Sequence, residues 1–79
     1  MGRIKGVFSK DFGRSRQWGE ADSETGYIYI SPKCKGIKDL EIRLHEGIHI
    51  HCPYFSESEV EIIGADFSYV MGEWLQEAR

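Results

Sequence analysis

Apolar residues along this chain change spacing near the middle, from short β-type runs before Pro32 to helical periodicity after Gly36. Tyr27, Ile28, Tyr29 and Ile30 form an aromatic and β-branched run that Ser31 and Pro32 stop, which predicts a strand. Ile4, Val7 and Phe8 within Arg3 to Phe8 predict an earlier short strand, with a bulge at Gly6. Between them, Gly13 to Gly26 is polar and glycine-rich with Trp18 as its one large apolar residue, and reads as a long connection. Two or three strands are expected, pairing antiparallel.

From Ile37 the period becomes helical. Ile37, Leu40, Leu44, Ile48 and His51 recur by three and four, with Ile42, His45 and His49 on a neighbouring stripe, which predicts a helix from about Ile37 to His51. Pro53 stops it, because proline disfavours helical geometry in the residue before it. Ser56 followed by Glu59 is a capping box that opens a second helix, whose apolar face is expected to be Val60, Ile63, Phe67, Val70 and Trp74. The expected class is therefore α+β: a short antiparallel sheet followed by a helix hairpin, in one domain over residues 1–79. No repeat, low-complexity segment or linker divides the chain.

Composition adds a constraint. With 79 residues, 41% of them hydrophobic, the chain has the makings of one core, but a domain this short buries only about 60% of its unfolded surface. A metal, a disulfide or a partner often supplements so small a core. Cys34 and Cys52 have no CxxC spacing and no apolar stretch resembles a leader or a membrane span, so the expectation is a cytoplasmic chain with both thiols reduced, a disulfide being the alternative. The net charge is −3 but uneven: Arg3, Lys5, Lys10, Arg14 and Arg16 crowd the front against Asp11 alone, while Glu57, Glu59, Glu61, Asp66, Glu73 and Glu77 crowd the tail against Arg79.

Leu44-His45-Glu46-Gly47-Ile48-His49 matches HExxH on a predicted helix. A spacing of four sets both imidazoles on one face, one turn apart, where they can converge on one Zn2+. Glu46 lies about 100° around the helix from His45, placed to address water as a general base. A histidine pair can also simply pack, yet two histidines and a carboxylate on an otherwise apolar helix are costly to bury without a partner. Gly47, between the histidines, allows another element to approach closely.

Catalytic zinc keeps three protein ligands and an open position. If the chain reverses near Pro53, Glu57 comes beside His49 and Glu61 beside His45. Glu57 shares a stripe with the apolar Val60 and Phe67, is expected to point inward and is the preferred third ligand; Glu61 is more lateral, and Glu59 and His51 follow. Each glutamate can equally be an acidic residue favourable to a helix N-terminus. Asp66, in the middle of the second helix, is a candidate to accept an imidazole proton.

The run from Leu44 to His49, then Ser56-Glu57-Ser58-Glu59-Val60-Glu61, Gly64-Ala65-Asp66-Phe67 and Trp74, resembles the small zincin-like metallopeptidases of phage and bacterial type, gluzincin-style, over about the last 45 residues. The resemblance implies a short sheet, an active-site helix and a second helix that donates a glutamate to zinc. It further implies hydrolysis of peptide bonds in a peptide or protein substrate by a zinc-activated water, with Glu46 as general base. The chain lacks the NExxSD-type second motif and the additional lobe of larger gluzincins.

Two other functions are consistent with the sequence. One is a zinc-stabilised binding module, an inhibitor or adaptor of a host protein, in which His51 or Cys52 closes the metal site. The other is nucleic-acid binding through Arg3, Lys5, Lys10, Arg14, Arg16 and Trp18, disfavoured because such affinity needs a concentrated basic face. No membrane partner is expected, and the pattern carries no signal of oligomeric state.

Overall fold

Tyr27-Ile28-Tyr29-Ile30 is the most β-prone run in the chain, and the sheet is assembled around it. In the computed structural model, which describes residues 3–77, the elements are β1 (Gly6–Ser9), β2 (Gly19–Asp22), β3 (Tyr27–Ile30), α1 (Ile37–His51) and α2 (Glu57–Glu77). The α+β class, with a sheet followed by a helix hairpin, is as expected. The sheet order is β1-β3-β2, so β3 is central.

The sheet is mixed instead of wholly antiparallel. β2 and β3 form an antiparallel hairpin, whereas β1 runs parallel to β3. Residues 10–18 carry the chain past the slot that β3 later fills, and β2 brings it back, so that β3 enters parallel to β1. The bulge expected at Gly6 is absent: Gly6 pairs with Tyr27 and Val7 with Ile28 in unbroken register. A Cβ at Gly6 would stand 2.8 Å from the exposed Phe8 ring, which packs edge-on against Tyr27 and would have to shift. β2 lies inside the stretch expected to be a connection. The turn after it is tied by Asp22, whose carboxylate accepts from the amides of Glu24 and Thr25, and it ends at Gly26 with φ 79°.

Helix α1 has the expected bounds. At its end Cys52 N–H donates to Ile48 O at 2.7 Å, and Pro53 stops further propagation. Its sheet-facing side buries Glu46, Gly47 and Ile50, and Ile50 joins Ile28, Ile30 and Cys34 in the core. Gly47 lets the sheet come close, since a Cβ there would already stand 3.3 Å from Ile4 Cδ1.

The other side of α1 carries α2, which touches no strand. The layers are thus sheet, α1, α2. The face that α2 buries differs from the expected one: Val60, Gly64 and Ser68 are buried, while Phe67, Val70 and Trp74 are exposed at 55%, 61% and 62%. Val60, Gly64, Ser68 and Gly72 recur every four residues and form a ridge of small side chains along α1. At Gly72 a Cβ would meet Ile37 Cδ1 at 2.7 Å. Close approach of the two backbones selects small residues, and the bulky stripe is turned aside.

Candidate metal centre

Four consecutive turns of chain build the site. The last two turns of α1 present His45, Glu46 and His49, residues 52–56 reverse the chain, and the first turn of α2 presents Glu57. The reversal is held locally: Phe55 N–H donates to Cys52 O at 3.0 Å, Ser56 N–H to Glu59 Oε1 at 2.9 Å, and Glu59 N–H to Ser56 Oγ at 3.2 Å. The last two are the reciprocal bonds of a capping box. The amide of Ser56, and after it the hydroxyl, favour the charged Glu59 carboxylate and hold its pKa below the ordinary glutamate value. The two bonds also fix the start of α2, and with it the position of Glu57.

His45 Nε2 and His49 Nε2 stand 3.2 Å apart. Glu57 closes the triangle, with Oε1 2.6 Å from His49 Nε2 and Oε2 3.4 Å from His45 Nε2. Donors of one tetrahedral zinc, bound at about 2.0–2.1 Å, lie roughly 3.3 Å from each other. The His45–His49 separation and the Glu57 Oε2–His45 separation match that edge, whereas Glu57 Oε1 stands closer to His49, at hydrogen-bond length. Two imidazole nitrogens pointed at one another and at a carboxylate suit a shared cation, and the two rings are half-buried beside a Glu57 side chain that is 75% exposed. Among the described residues this is the one group of three such donors able to hold a metal.

The other sequence candidates fall outside the group. Glu59 is committed to the cap. Glu61 is exposed and lines a neighbouring cleft, and His51 is exposed at the end of α1. Asp66 is exposed and forms no hydrogen bond to a histidine among the described residues. Cys34 and Cys52 are free thiols, and neither joins the donors.

Glu46 faces a cleft of about 220 Å³ formed by α1, α2 and the start of β2, which it shares with His45, Trp18, Gly19 and Glu61. It is 9% exposed. Burial pushes its pKa above the ordinary glutamate value, His45 and His49 partly oppose this, and Glu57 and Glu20 add to it. Its carboxylate lies against the Gly19 backbone: a Cβ on Gly19 would stand 3.0 Å from Glu46 Oε2 and 2.6 Å from Ile42 Cγ2.

Trp18 and Gly19 are site residues that the sequence pattern does not reveal. Trp18 anchors the connection, its carbonyl accepting from Ser31 N–H at 2.8 Å, and Lys38 Nζ lies 5.6 Å from the centre of its ring. The one available signal was a lone tryptophan before a glycine in a polar stretch.

β3 is paired on both sides and offers no free edge to an extended peptide. Among the described residues β2 pairs with β3 alone, and its outer edge begins at Gly19, beside Glu46. Comparison with protein-family models, with curated proteins and with solved structures returns no match, so the reading of this centre rests on its own geometry.

Proposed function

We propose that the chain is a small zinc-dependent metallopeptidase in which His45, His49 and Glu57 hold the metal and Glu46 is the general base. The observation that carries this reading is the convergence of two imidazole nitrogens and one carboxylate, 2.6–3.4 Å apart, next to a buried carboxylate on the same helix. Zinc held there would supply Lewis acidity, polarising a carbonyl and activating water near neutral pH. Glu46 accepts the proton of the attacking water at its carboxylate and passes it to the leaving amine. Its raised pKa suits the first half of that transfer, since a carboxylate with greater proton affinity is the better base. An extended peptide pairs along the outer edge of β2, which brings its backbone past Glu46.

The donor set favours this reading over a structural zinc. Three ligands leave a coordination position open, and neither His51 nor Cys52 is placed to close it. The exposed Glu57 side chain gives that position access to solvent.

The test combines metal content and turnover. Elemental mass spectrometry of the purified chain is expected to find about one zinc per chain, lost in His45→Ala and Glu57→Ala. A quenched-fluorescence peptide library is expected to reveal cleavage that Glu46→Gln abolishes while zinc is retained. A chain that takes up no added zinc overturns the metal reading, and cleavage undiminished in Glu46→Gln overturns the mechanism. Zinc retained with no library member cleaved points to the zinc-stabilised binding module instead.

A further inference from the structure

The apolar stripe that α2 turns away from α1 is not a random scatter. Ile63, Phe67, Val70 and Trp74 follow one another by four, three and four residues, the spacing of a coiled-coil seam, over roughly 16 Å of helix at 1.5 Å per residue. Phe67, Val70 and Trp74 are each more than half exposed, as are Ile62 and Tyr69 elsewhere on the helix, and among the described residues α1 is the one element that contacts α2. A contiguous apolar stripe of this kind on a small domain marks an interaction surface.

Charge selects the occupant. Glu59, Asp66 and Glu73 are spaced by seven and form an acidic column along one flank of the seam, and Glu57–Glu77 contains no lysine or arginine. Asp66 and Glu73 form no ion pair among the described residues. A second copy is a poor fit. Antiparallel pairing of two α2 helices sets the acidic column against itself, and parallel pairing sets it against Gly64 and Met71, which offer no cation. We propose that the Ile63, Phe67, Val70, Trp74 seam of α2 docks an amphipathic helix of a partner protein, with apolar residues at the same four-three spacing and lysine or arginine flanking them. No seam residue is among the three donors.

The test uses the full chain and two synthetic helical peptides, each with leucine at the four-three positions, one with lysine and the other with glutamate at the flanking positions. Titration calorimetry is expected to detect the lysine peptide and not the glutamate peptide. Phe67→Ser with Trp74→Ser is expected to weaken binding by about tenfold or more without changing the circular dichroism spectrum, because both side chains are exposed. Asp66→Lys with Glu73→Lys is expected to reverse the preference between the peptides. Equal binding of both peptides, or a charge reversal that leaves the preference unchanged, overturns the proposal. A dimer in analytical ultracentrifugation that the serine variant dissociates also overturns it, and assigns the seam to a second copy.

Discussion

Gly19→Ala is a one-carbon change that probes how β2 and α1 share the site. The new Cβ would lie 2.6 Å from Ile42 Cγ2, about 1 Å inside ordinary carbon–carbon contact, and 3.0 Å from Glu46 Oε2. Two effects oppose each other. Replacing glycine in a strand gains about 0.5–1 kcal/mol by restricting the unfolded chain, whereas overpacking against a filled contact costs roughly 1–3 kcal/mol. Ile42 packs against the core and Glu46 is nearly enclosed, so neither can yield freely and the cost is expected to win. For a domain of this size each kcal/mol moves the midpoint by roughly 4–8 °C, so a fall of about 5–15 °C in thermal melting is expected. Zinc stoichiometry should be unchanged, because the new methyl meets none of the three donors. Displacing the Glu46 carboxylate by even 1 Å should lower peptide cleavage by on the order of a hundredfold. The Ile42→Ala background supplies the control: with Cγ2 gone, Gly19→Ala should cost measurably less, a coupling that a double-mutant cycle reads directly. A melting point unmoved by Gly19→Ala, or an equal loss in both backgrounds, would refute the packing argument.

Loss of the cap should be felt at the metal. Ser56→Ala is expected to destabilise the chain by about 1 kcal/mol in urea titration and to weaken zinc binding as well, since the cap fixes the residue before Glu57. Glu59 is held below its ordinary pKa in the folded chain, so its contribution is complete above the usual carboxylate range and disappears as pH falls through the depressed value. The advantage of the parent over Glu59→Gln should therefore vanish on acidification below about pH 4, as pH-resolved denaturation would show. Chelation of zinc should speed amide exchange in α2 more than in β3, because α2 is joined to the body through α1 alone and the metal would tie its first turn there. Cys34 is buried and burial raises its thiol pKa, so iodoacetamide should label Cys52 first and reach Cys34 only after unfolding.

The parts of this fold written in local chemistry were legible in the sequence. The bounds of α1 follow from periodicity and Pro53, the start of α2 from the Ser56 and Glu59 cap, and β3 from its alternating tyrosines and isoleucines. The short turn brings Glu57 to both imidazoles, but the stripe used to prefer it over Glu61 was only half right, since Val60 is buried and Phe67 exposed. What was not legible depends on partners distant in sequence. Gly19-Glu20-Ala21-Asp22 has no β-branched or aromatic residue and is a strand only because β3 offers it an edge. The parallel pairing of β1 depends on which slot that hairpin leaves free. The buried face of α2 escaped a hydrophobicity pattern because Gly64 and Ser68 are selected for size, and small residues carry little apolar signal.

That last discrepancy bears on how the chain combines a site with so small a core. Because α1 is the middle layer, its sheet-facing side makes the core with Ile28, Ile30 and Ile50, and its α2-facing side must leave room for the two imidazoles. A bulky α2 face would hold the helices apart. The small-residue ridge brings Gly64 to 3.6 Å from the His45 backbone nitrogen, measured from an ideal Cβ, and so sets the first turn of α2 where Glu57 can span both rings. The same rotation that brings Glu57 to the two imidazoles forces Phe67, Val70 and Trp74 outward. The donor triangle and the exposed seam are therefore two consequences of one packing choice. Enlarging Gly64 should disturb both together, whereas changes to Phe67 or Trp74 should leave the donors untouched.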